Sequence, residues 1–158
     1  MTEPQNIGVE LLCNSSRECI CPFSTSAGSC FIAGNTSGMI AGVVNSITST
    51  ETFYTGTFKA EHGVKIVIEV LSVSGTSPTL SISAQLGYFE PAIPIVSNIS
   101  STGTWVIHVA EDGTVTLNAN GTLSTIGKIS MPVENVTVTF TVGGTSPSFG
   151  ISAWVEYV

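Results

Sequence analysis

The stretch that decides the fold is Val133-Glu-Asn-Val-Thr-Val-Thr-Phe-Thr-Val-Gly-Gly-Thr-Ser-Pro-Ser-Phe-Gly-Ile-Ser-Ala-Trp-Val-Glu-Tyr-Val158, the last 26 residues of the chain. On both sides of Gly143–Pro147, apolar residues such as Phe140 and Phe149 occupy every second position. This period, carried by β-branched and aromatic residues, is typical of half-buried strands. The glycines and the proline between the two runs are turn residues. The stretch therefore predicts a β-hairpin.

The same turn sequence occurs a second time, as Gly75-Thr76-Ser77-Pro78. It separates the strand-like segments 64–74 and 79–86, and so predicts a second hairpin of the same kind. The first of these segments is apolar on much of both faces, which is typical of a strand in the middle of a sheet or at an interface. Two similar hairpins are thus expected to supply much of the core.

The rest of the chain predicts short strands and no helix of ten or more residues. Asp112-Gly113 and Asn120-Gly121 are hairpin-turn signals. About eight or nine short strands in total predict an all-β fold, an antiparallel β-sandwich that is jelly-roll-like and covers residues 39–158. Residues 1–38, which from Cys13 onward are rich in Ser, Gly, Asn and Cys, predict an irregular N-terminal arm or a cysteine-bearing loop region.

The composition indicates a surface with few charges. Hydrophobic residues make up 42% of the chain and charged residues 9%, while Ser and Thr together number 41 of 158. This balance excludes a disordered protein, which needs low hydrophobicity and high charge. So few charges leave a free monomer poorly protected against association. We therefore expect the protein to pack against copies of itself or against a partner.

The net charge of −7, with four Lys and Arg residues, argues against two classes of partner. Nucleic acids and anionic membranes both require clustered cations, which this chain lacks. No apolar run is long enough to span a bilayer. The first residues lack the pattern of a secretory signal, and the initial Met1 favours a mature chain that begins there.

All four cysteines fall within a short segment, at Cys13, Cys19, Cys21 and Cys30. Their spacing matches no common zinc pattern. Two local disulfides would suit an oxidising compartment, and four reduced thiols would suit the cytosol. Because Cys19 and Cys21 are near neighbours, the two pairings that separate them are favoured.

No catalytic motif is found, and we expect that the protein is not an enzyme and uses no cofactor or metal. His62 lies beside a turn glycine, and His108 lies on the outward side of a predicted strand. Neither belongs to a recognisable nucleophile–base arrangement. Glu111-Asp112 could form a carboxylate pair or part of a calcium site, but a turn with acidic residues is the commoner explanation.

Three segments carry a resemblance to a known family. They are the run Val73–Leu80 around the first turn sequence, the Thr-Gly-Thr-aromatic run Thr102–Trp105, and Val142–Phe149 around the second. Over roughly residues 53–158 the chain resembles small structural proteins that tailed bacteriophages encode near their head genes. The cysteine-bearing N-terminal region and the segment 114–127 depart from that family's pattern.

The resemblance implies a virion component, and most closely a capsid decoration (cement) protein. Such proteins sit on the head exterior, commonly as homotrimers, and bind the major capsid protein. It implies a protein made in the host cytoplasm whose partners are the major capsid protein and its own copies, without nucleic acid or membrane. Aromatic side chains are common at interfaces, and the candidates for contact are Phe23, Phe31, Trp154 and Tyr157.

Three alternatives remain open at this stage. The first is a tail or fibre component, which would form rings or tubes. The second is a carbohydrate-binding or adhesive β-sandwich, with Trp154 and Tyr54 as a stacking platform. The third is a surface filament subunit, which the Ser/Thr-rich composition and five glycosylation sequons suit.

Overall fold

The structure, a computed structural model, describes residues 9–13, 19–20, 45–55 and 59–157, and these ranges form strands joined by turns and loops. Every pairing between the described strands is antiparallel. The all-β antiparallel sandwich predicted from the sequence is confirmed. In chain order the strands are β1 Val9–Cys13, β2 Cys19–Ile20, β3 Asn45–Ile47, β4 Glu51–Tyr54, β5 Lys59–Ala60, β6 Val64–Gln85, β7 Ile93–Ile99, β8 Gly103–Val109, β9 Thr114–Ala119, β10 Thr122–Lys128, β11 Val133–Glu134 and β12 Thr137–Tyr157.

Two long strands, β6 with 22 residues and β12 with 21, form the centre of the fold. They pair with each other from Thr137 opposite Gln85 to Tyr157 opposite Val64. The two predicted hairpins are therefore wrong, since the two halves of β6 pair with β12 on one side and with β7 and β8 on the other. The central position predicted for the first half of β6 is confirmed.

Both Gly-Thr-Ser-Pro segments lie at the midpoint of this long pair, where the ladder register shifts. Gly75 and Gly144 have φ angles of 114° and 107°, and Ser77 and Ser146 have 48° and 47°. Matching dihedrals give the two strands matching bulges, and a bulge bends a strand without reversing it. A local turn signal is thus converted into a bend because each segment pairs with the other.

Glycine is required at the bend because the backbones of β6 and β12 approach each other closely there. A Cβ atom on Gly75 would lie 2.7 Å from the carbonyl oxygen of Ser146, and one on Gly144 would lie 2.6 Å from that of Ser77. Each bend therefore fits against the other in the same way. This reciprocal contact explains why both segments carry a glycine at this position.

The bends fold the ten-stranded sheet over on itself to give two layers. Layer I contains β8, β9 and β10 with the first half of β6 and the second half of β12. Layer II contains β4 and β7 with the remaining halves of β6 and β12. β1 and β3 pair with the layer I half of β12.

The layers meet again at the end opposite the bends. There Val133 in β11 pairs with Ala60 in β5, and the Glu134 N–H donates a hydrogen bond of 3.1 Å to the Leu86 carbonyl. These contacts bring Ala60, which precedes β6, and Leu86, which follows it, to the same end of the fold. We call this end, residues 59–63, 86–92, 110–113 and 128–134, the open end. The bends at 74–79 and 143–148 form the opposite end, which we call the apex.

The core lies between the layers and receives side chains from both halves of each long strand. At its centre the rings of Phe53 and Phe140 meet edge to face, with centroids 5.8 Å apart and planes inclined at 71°. The largest fully buried side chains are Phe53, Phe140, Phe149, Leu12, Ile47, Ile66, Ile68, Leu80, Ile82, Leu86 and Ile107.

The two hairpins predicted from dipeptide signals are confirmed. β8 and β9 are joined through Asp112-Gly113, where the Gly113 N–H donates to the Ala110 carbonyl at 2.9 Å. β9 and β10 are joined at Asn120-Gly121, whose φ angles of 51° and 98° are both positive, as in a type I′ turn. The Asn120 side-chain oxygen also accepts a hydrogen bond of 2.8 Å from the Thr104 N–H.

Strands β1 and β2 come from the segment predicted as an irregular arm, and the sequence pattern did not predict them. β1 joins the main sheet, with Leu11 opposite Trp154, and Leu12 is completely buried. Apart from these two strands, the predicted arm 1–38 lies outside the described residues. The domain division at residue 38 stays a prediction.

Candidate interaction surfaces

The outer face of layer II carries hydroxyl groups in place of charges. Ser83, Thr139 and Thr52 lie opposite one another across three strands, and the hydroxyls of Thr52 and Thr139 are 3.1 Å apart. Because side chains alternate along a strand, the apolar residues next to these in sequence point into the core. None of the described residues on this outer face is charged. We call the following set the hydroxyl face: Thr52, Thr79, Ser81, Ser83, Thr137, Thr139 and Thr141.

The apex continues this uncharged surface. Its residues, 74–79 and 143–148, are Ser, Thr, Gly and Pro without a charged side chain. Beside it, the Thr50 hydroxyl accepts a hydrogen bond of 3.1 Å from the Val142 N–H. The hydroxyl thereby satisfies a backbone donor next to the irregular ladder.

The open end differs in character, because it projects two aromatic side chains. Tyr88 is 69% exposed and Phe89 is 98% exposed. They occupy the central positions of a turn in which the Glu90 N–H donates a hydrogen bond of 3.3 Å to the Gly87 carbonyl. The Glu90 carboxylate in turn accepts a bond of 3.3 Å from the Ser130 N–H. Strand periodicity and turn signals do not mark these two residues, although a Tyr-Phe pair between Gly87 and a Glu-Pro step is a visible signal.

Acidic side chains predominate at the open end, the end of the fold that carries the Tyr88–Phe89 turn. The open end contains two cations and five carboxylates, a balance of −3 with histidine neutral. One cation, Lys59, has its ammonium 3.5 Å from the carboxylate of Glu61, and both side chains are mainly exposed. The full set is Lys59, Lys128, Glu61, Glu90, Glu111, Asp112 and Glu134.

An apolar row crosses the outer face of layer I. Strand register places Leu123, Asn118, Val106, Val67 and Trp154 successively opposite one another. Leu123 is 72% exposed, whereas the other four are half-buried. The row brings Trp154 and an exposed leucine to one side of the same layer.

Trp154, a predicted interface residue, is half-buried and hydrogen-bonded. Its indole N–H donates to the Glu156 carboxylate at 2.6 Å. Register places it opposite Leu11, and it places Tyr54, which is 38% exposed, opposite Cys13 two residues further along β1. Leu11 and Cys13 are two residues apart and so share a face of β1. Trp154 and Tyr54 therefore lie on the two strands next to β1 and on the same face of the sheet.

The other predicted site residues fall at the margins of the described structure. The backbone of Tyr157 pairs with Val64, while Phe23, Phe31, Cys21 and Cys30 lie outside the described residues. Cys13 and Cys19 are directly opposite in the β1–β2 pair. Opposed Cα atoms lie about 4.5–5.5 Å apart, within the range that a disulfide spans. Disulfides stay a prediction, and pairing these two cysteines is among the connectivities that separate Cys19 from Cys21.

His62 forms an ion pair at the open end. Its Nδ1 lies 2.9 Å from Glu111 Oε2, and both side chains are about three-quarters exposed, at 76% and 73%. The hydrogen bond and the negative charge of Glu111 raise the pKa of His62 above its usual value. The neighbouring Asp112 has a lowered pKa because its carboxylate accepts a hydrogen bond from the Thr114 N–H at 2.9 Å.

We expect Glu111→Gln to lower the pKa of His62, measured by NMR titration of the ring protons. The folded-state pKa is raised above the unfolded one, so the pair stabilises the fold below pH ~6.5 and loses this effect as the pH rises through the folded pKa. High salt should reduce the difference, because the pair is exposed. An unchanged His62 pKa in the variant would contradict the pairing.

Among the described residues, no three His, Cys, Asp or Glu side chains are grouped so as to hold a metal ion. The same ranges contain no helix with the length and apolarity of a membrane span.

No protein-family model and no curated protein sequence matches the chain. Among solved structures, it is similar to the crystal structure of the infectious bursal disease virus VP2 subviral particle, at 12% identity and a TM-score of 0.33. The match covers 79% of this chain and 36% of that chain, so this chain spans little more than a third of the VP2 length. A TM-score of 0.33 is too low to carry an argument about function.

Proposed function

We propose that the chain is a structural component of a virus particle, and specifically a capsid decoration protein of a tailed bacteriophage. It binds the exterior of the head through the major capsid protein and stabilises that lattice, as a homotrimer and without catalytic activity. The sequence resemblance over residues 53–158 supports this proposal. The observation that carries it is the hydroxyl face, a sheet surface without charged side chains.

The hydroxyl face suits a contact with another protein for a physical reason. Charges are depleted at the centre of protein interfaces, since each buried charge has to be desolvated and paired. Threonine and serine hydroxyls can exchange water for hydrogen bonds to a partner's backbone at little net cost. A surface of this kind binds weakly per copy, and repetition across a lattice makes weak contacts sufficient.

The proposal predicts that the purified protein binds expanded heads that lack it and raises their melting temperature. Binding to the lattice and not to its dissociated subunits stabilises the assembled state by mass action. Sedimentation of the protein with heads measures the binding, and calorimetry of the heads measures the stabilisation. Absence of binding at saturating protein would contradict the decoration role.

A matched pair of variants tests whether the hydroxyl face makes the contact. Thr141→Lys places a charge on the exposed part of that face, and Thr125→Lys places one on the exposed strand β10 of layer I. An unpaired charge in the interface should weaken binding about tenfold or more. Equal binding by the two variants would place the contact elsewhere.

Tyr54 and Trp154 favour a second candidate, a carbohydrate-binding surface. They flank β1 on one side, as two stacking residues would. Binding to a glycan array, without binding to heads, would support this candidate over the first. Assembly into rings or tubes would instead support a tail component, and linear polymers a filament subunit.

A further inference from the structure

We propose that the Tyr88–Phe89 turn is the anchor of the chain on its protein partner, and that it inserts into an apolar pocket rimmed by cationic side chains. The inference rests on the proposed function, because it takes that partner to be a protein of the head. The hydroxyl face then supplies area, and the turn supplies a localised contact.

Both aromatic rings of the turn are exposed to solvent. Phe89 is 98% exposed and Tyr88 is 69% exposed, although the described domain buries its other phenylalanines, Phe53, Phe140 and Phe149, completely or almost so. A fully solvated phenylalanine adds nothing to the core and forgoes the free energy of burying its ring. Aromatic side chains that become buried in a partner's pocket are frequent hot spots of binding.

The turn is held in place before binding by the core and by hydrogen bonds. Leu86, at its base, is completely buried and accepts the Glu134 N–H at 3.1 Å. The Gly87–Glu90 hydrogen bond closes the turn, and the Ser130 N–H holds the Glu90 carboxylate. A preorganised anchor loses little conformational entropy when it binds. This arrangement differs from a loose loop whose aromatic residues happen to be exposed.

The net negative charge of the open end, where the turn lies, selects the partner. The open end carries five carboxylates against two lysines. An acidic rim is complementary to a pocket edged by Lys or Arg. It repels an anionic bilayer, which attracts basic surfaces, and it repels the same end of a second copy. A basic-rimmed pocket on a different protein therefore fits best.

The turn belongs to the same layer as the hydroxyl face. The turn connects the second half of β6 to β7, and both of these belong to layer II. The anchor thus lies at the end of the same layer whose outer face is free of charge. One partner surface can contact both.

The test compares wild type with Phe89→Ser, Tyr88→Ser and the control Leu123→Ser for binding to expanded heads lacking this chain. Leu123 is a matched control because it is also a highly exposed apolar residue, 72%, on layer I. We expect Phe89→Ser to weaken binding about 30-fold, as a hot-spot residue would, and Leu123→Ser to change it less than about twofold. Raising the salt concentration should weaken wild-type binding, because the rim contributes electrostatically.

The outcomes separate this inference from the proposed function. If wild type and Phe89→Ser bind heads equally, the anchor is wrong and the decoration role stands. If wild type itself fails to bind, the decoration role fails and the anchor with it. Phe89-dependent binding to phosphatidylcholine or phosphatidylglycerol vesicles, or Phe89-dependent self-association in sedimentation, without loss of head binding, would overturn the anchor in favour of a lipid or a second copy.

Discussion

Replacing Gly75 with alanine is expected to destabilise the fold by about 3 kcal/mol or more. The residue has a φ of 114°, and an added Cβ would lie 2.7 Å from the Ser146 carbonyl oxygen and 2.8 Å from the Pro147 Cα. Left-handed backbone costs an L-residue about 1–2 kcal/mol, and the steric overlap in a packed region adds about 1–3 kcal/mol. Gly144→Ala should behave alike, because its added Cβ meets Ser77 in the same way. Urea denaturation with an unchanged slope measures the loss.

Gly121→Ala is the control that separates dihedral strain from close approach. Gly121 also has a positive φ, 98°, but nothing lies within 4 Å of its added Cβ. It should therefore show only the backbone cost of about 1–2 kcal/mol. If Gly75→Ala were no more harmful than Gly121→Ala, the two bends would not cross closely and the pairing of β6 with β12 at the apex would be wrong.

Phe140→Ala should cost about 3–5 kcal/mol, which is a large share of the stability of an ordinary domain. Phe140 is completely buried, and its ring meets that of Phe53. Truncation leaves a cavity between the layers that the long strands cannot close without breaking their ladders. The adjacent Thr141 is exposed, so Thr141→Ala should change stability by less than about 0.5 kcal/mol. Similar values for the two variants would contradict the assignment of faces on β12.

The assignment of faces is the part of the fold that sequence alternation predicts well. Phe140 and Phe149 occupy every-second positions and are both completely buried. The period of a strand is a local property, so a single segment is enough to reveal which face is apolar. The turns at Asp112-Gly113 and Asn120-Gly121 are equally local and are also correct.

The partner of a strand is a different matter, because pairing is decided between distant segments. Gly-Thr-Ser-Pro has the residues of a turn and also those of a bulge with positive φ. At Gly75 and Gly144 the segment forms a bulge instead of a turn because the opposite strand carries the same four residues at the same level. The repeat itself was the available signal, since two identical irregularities are expected where two strands must match.

Side-chain exposure is likewise decided by the folded chain. Trp154 stays a predicted interface residue, and the structure shows it half-buried, with its indole N–H donating a hydrogen bond to Glu156. The more exposed pair, Tyr88 and Phe89, escaped notice because an aromatic residue has the same letter in a core and on a turn. Exposure depends on the packing of Leu86 and on the hydrogen bonds around Glu90, which only the folded chain supplies.

The measurement that tests the proposed function most directly is an electron cryomicroscopy image of the virus particle to which we propose that the chain belongs. The account predicts density for the chain on the outside of the head, with the hydroxyl face and the Tyr88–Phe89 turn against the major capsid protein. Phe89 should lie in a pocket edged by Lys or Arg. Density for the chain in the tail, or a head-bound copy whose Tyr88–Phe89 turn and hydroxyl face both point into solvent, would contradict it.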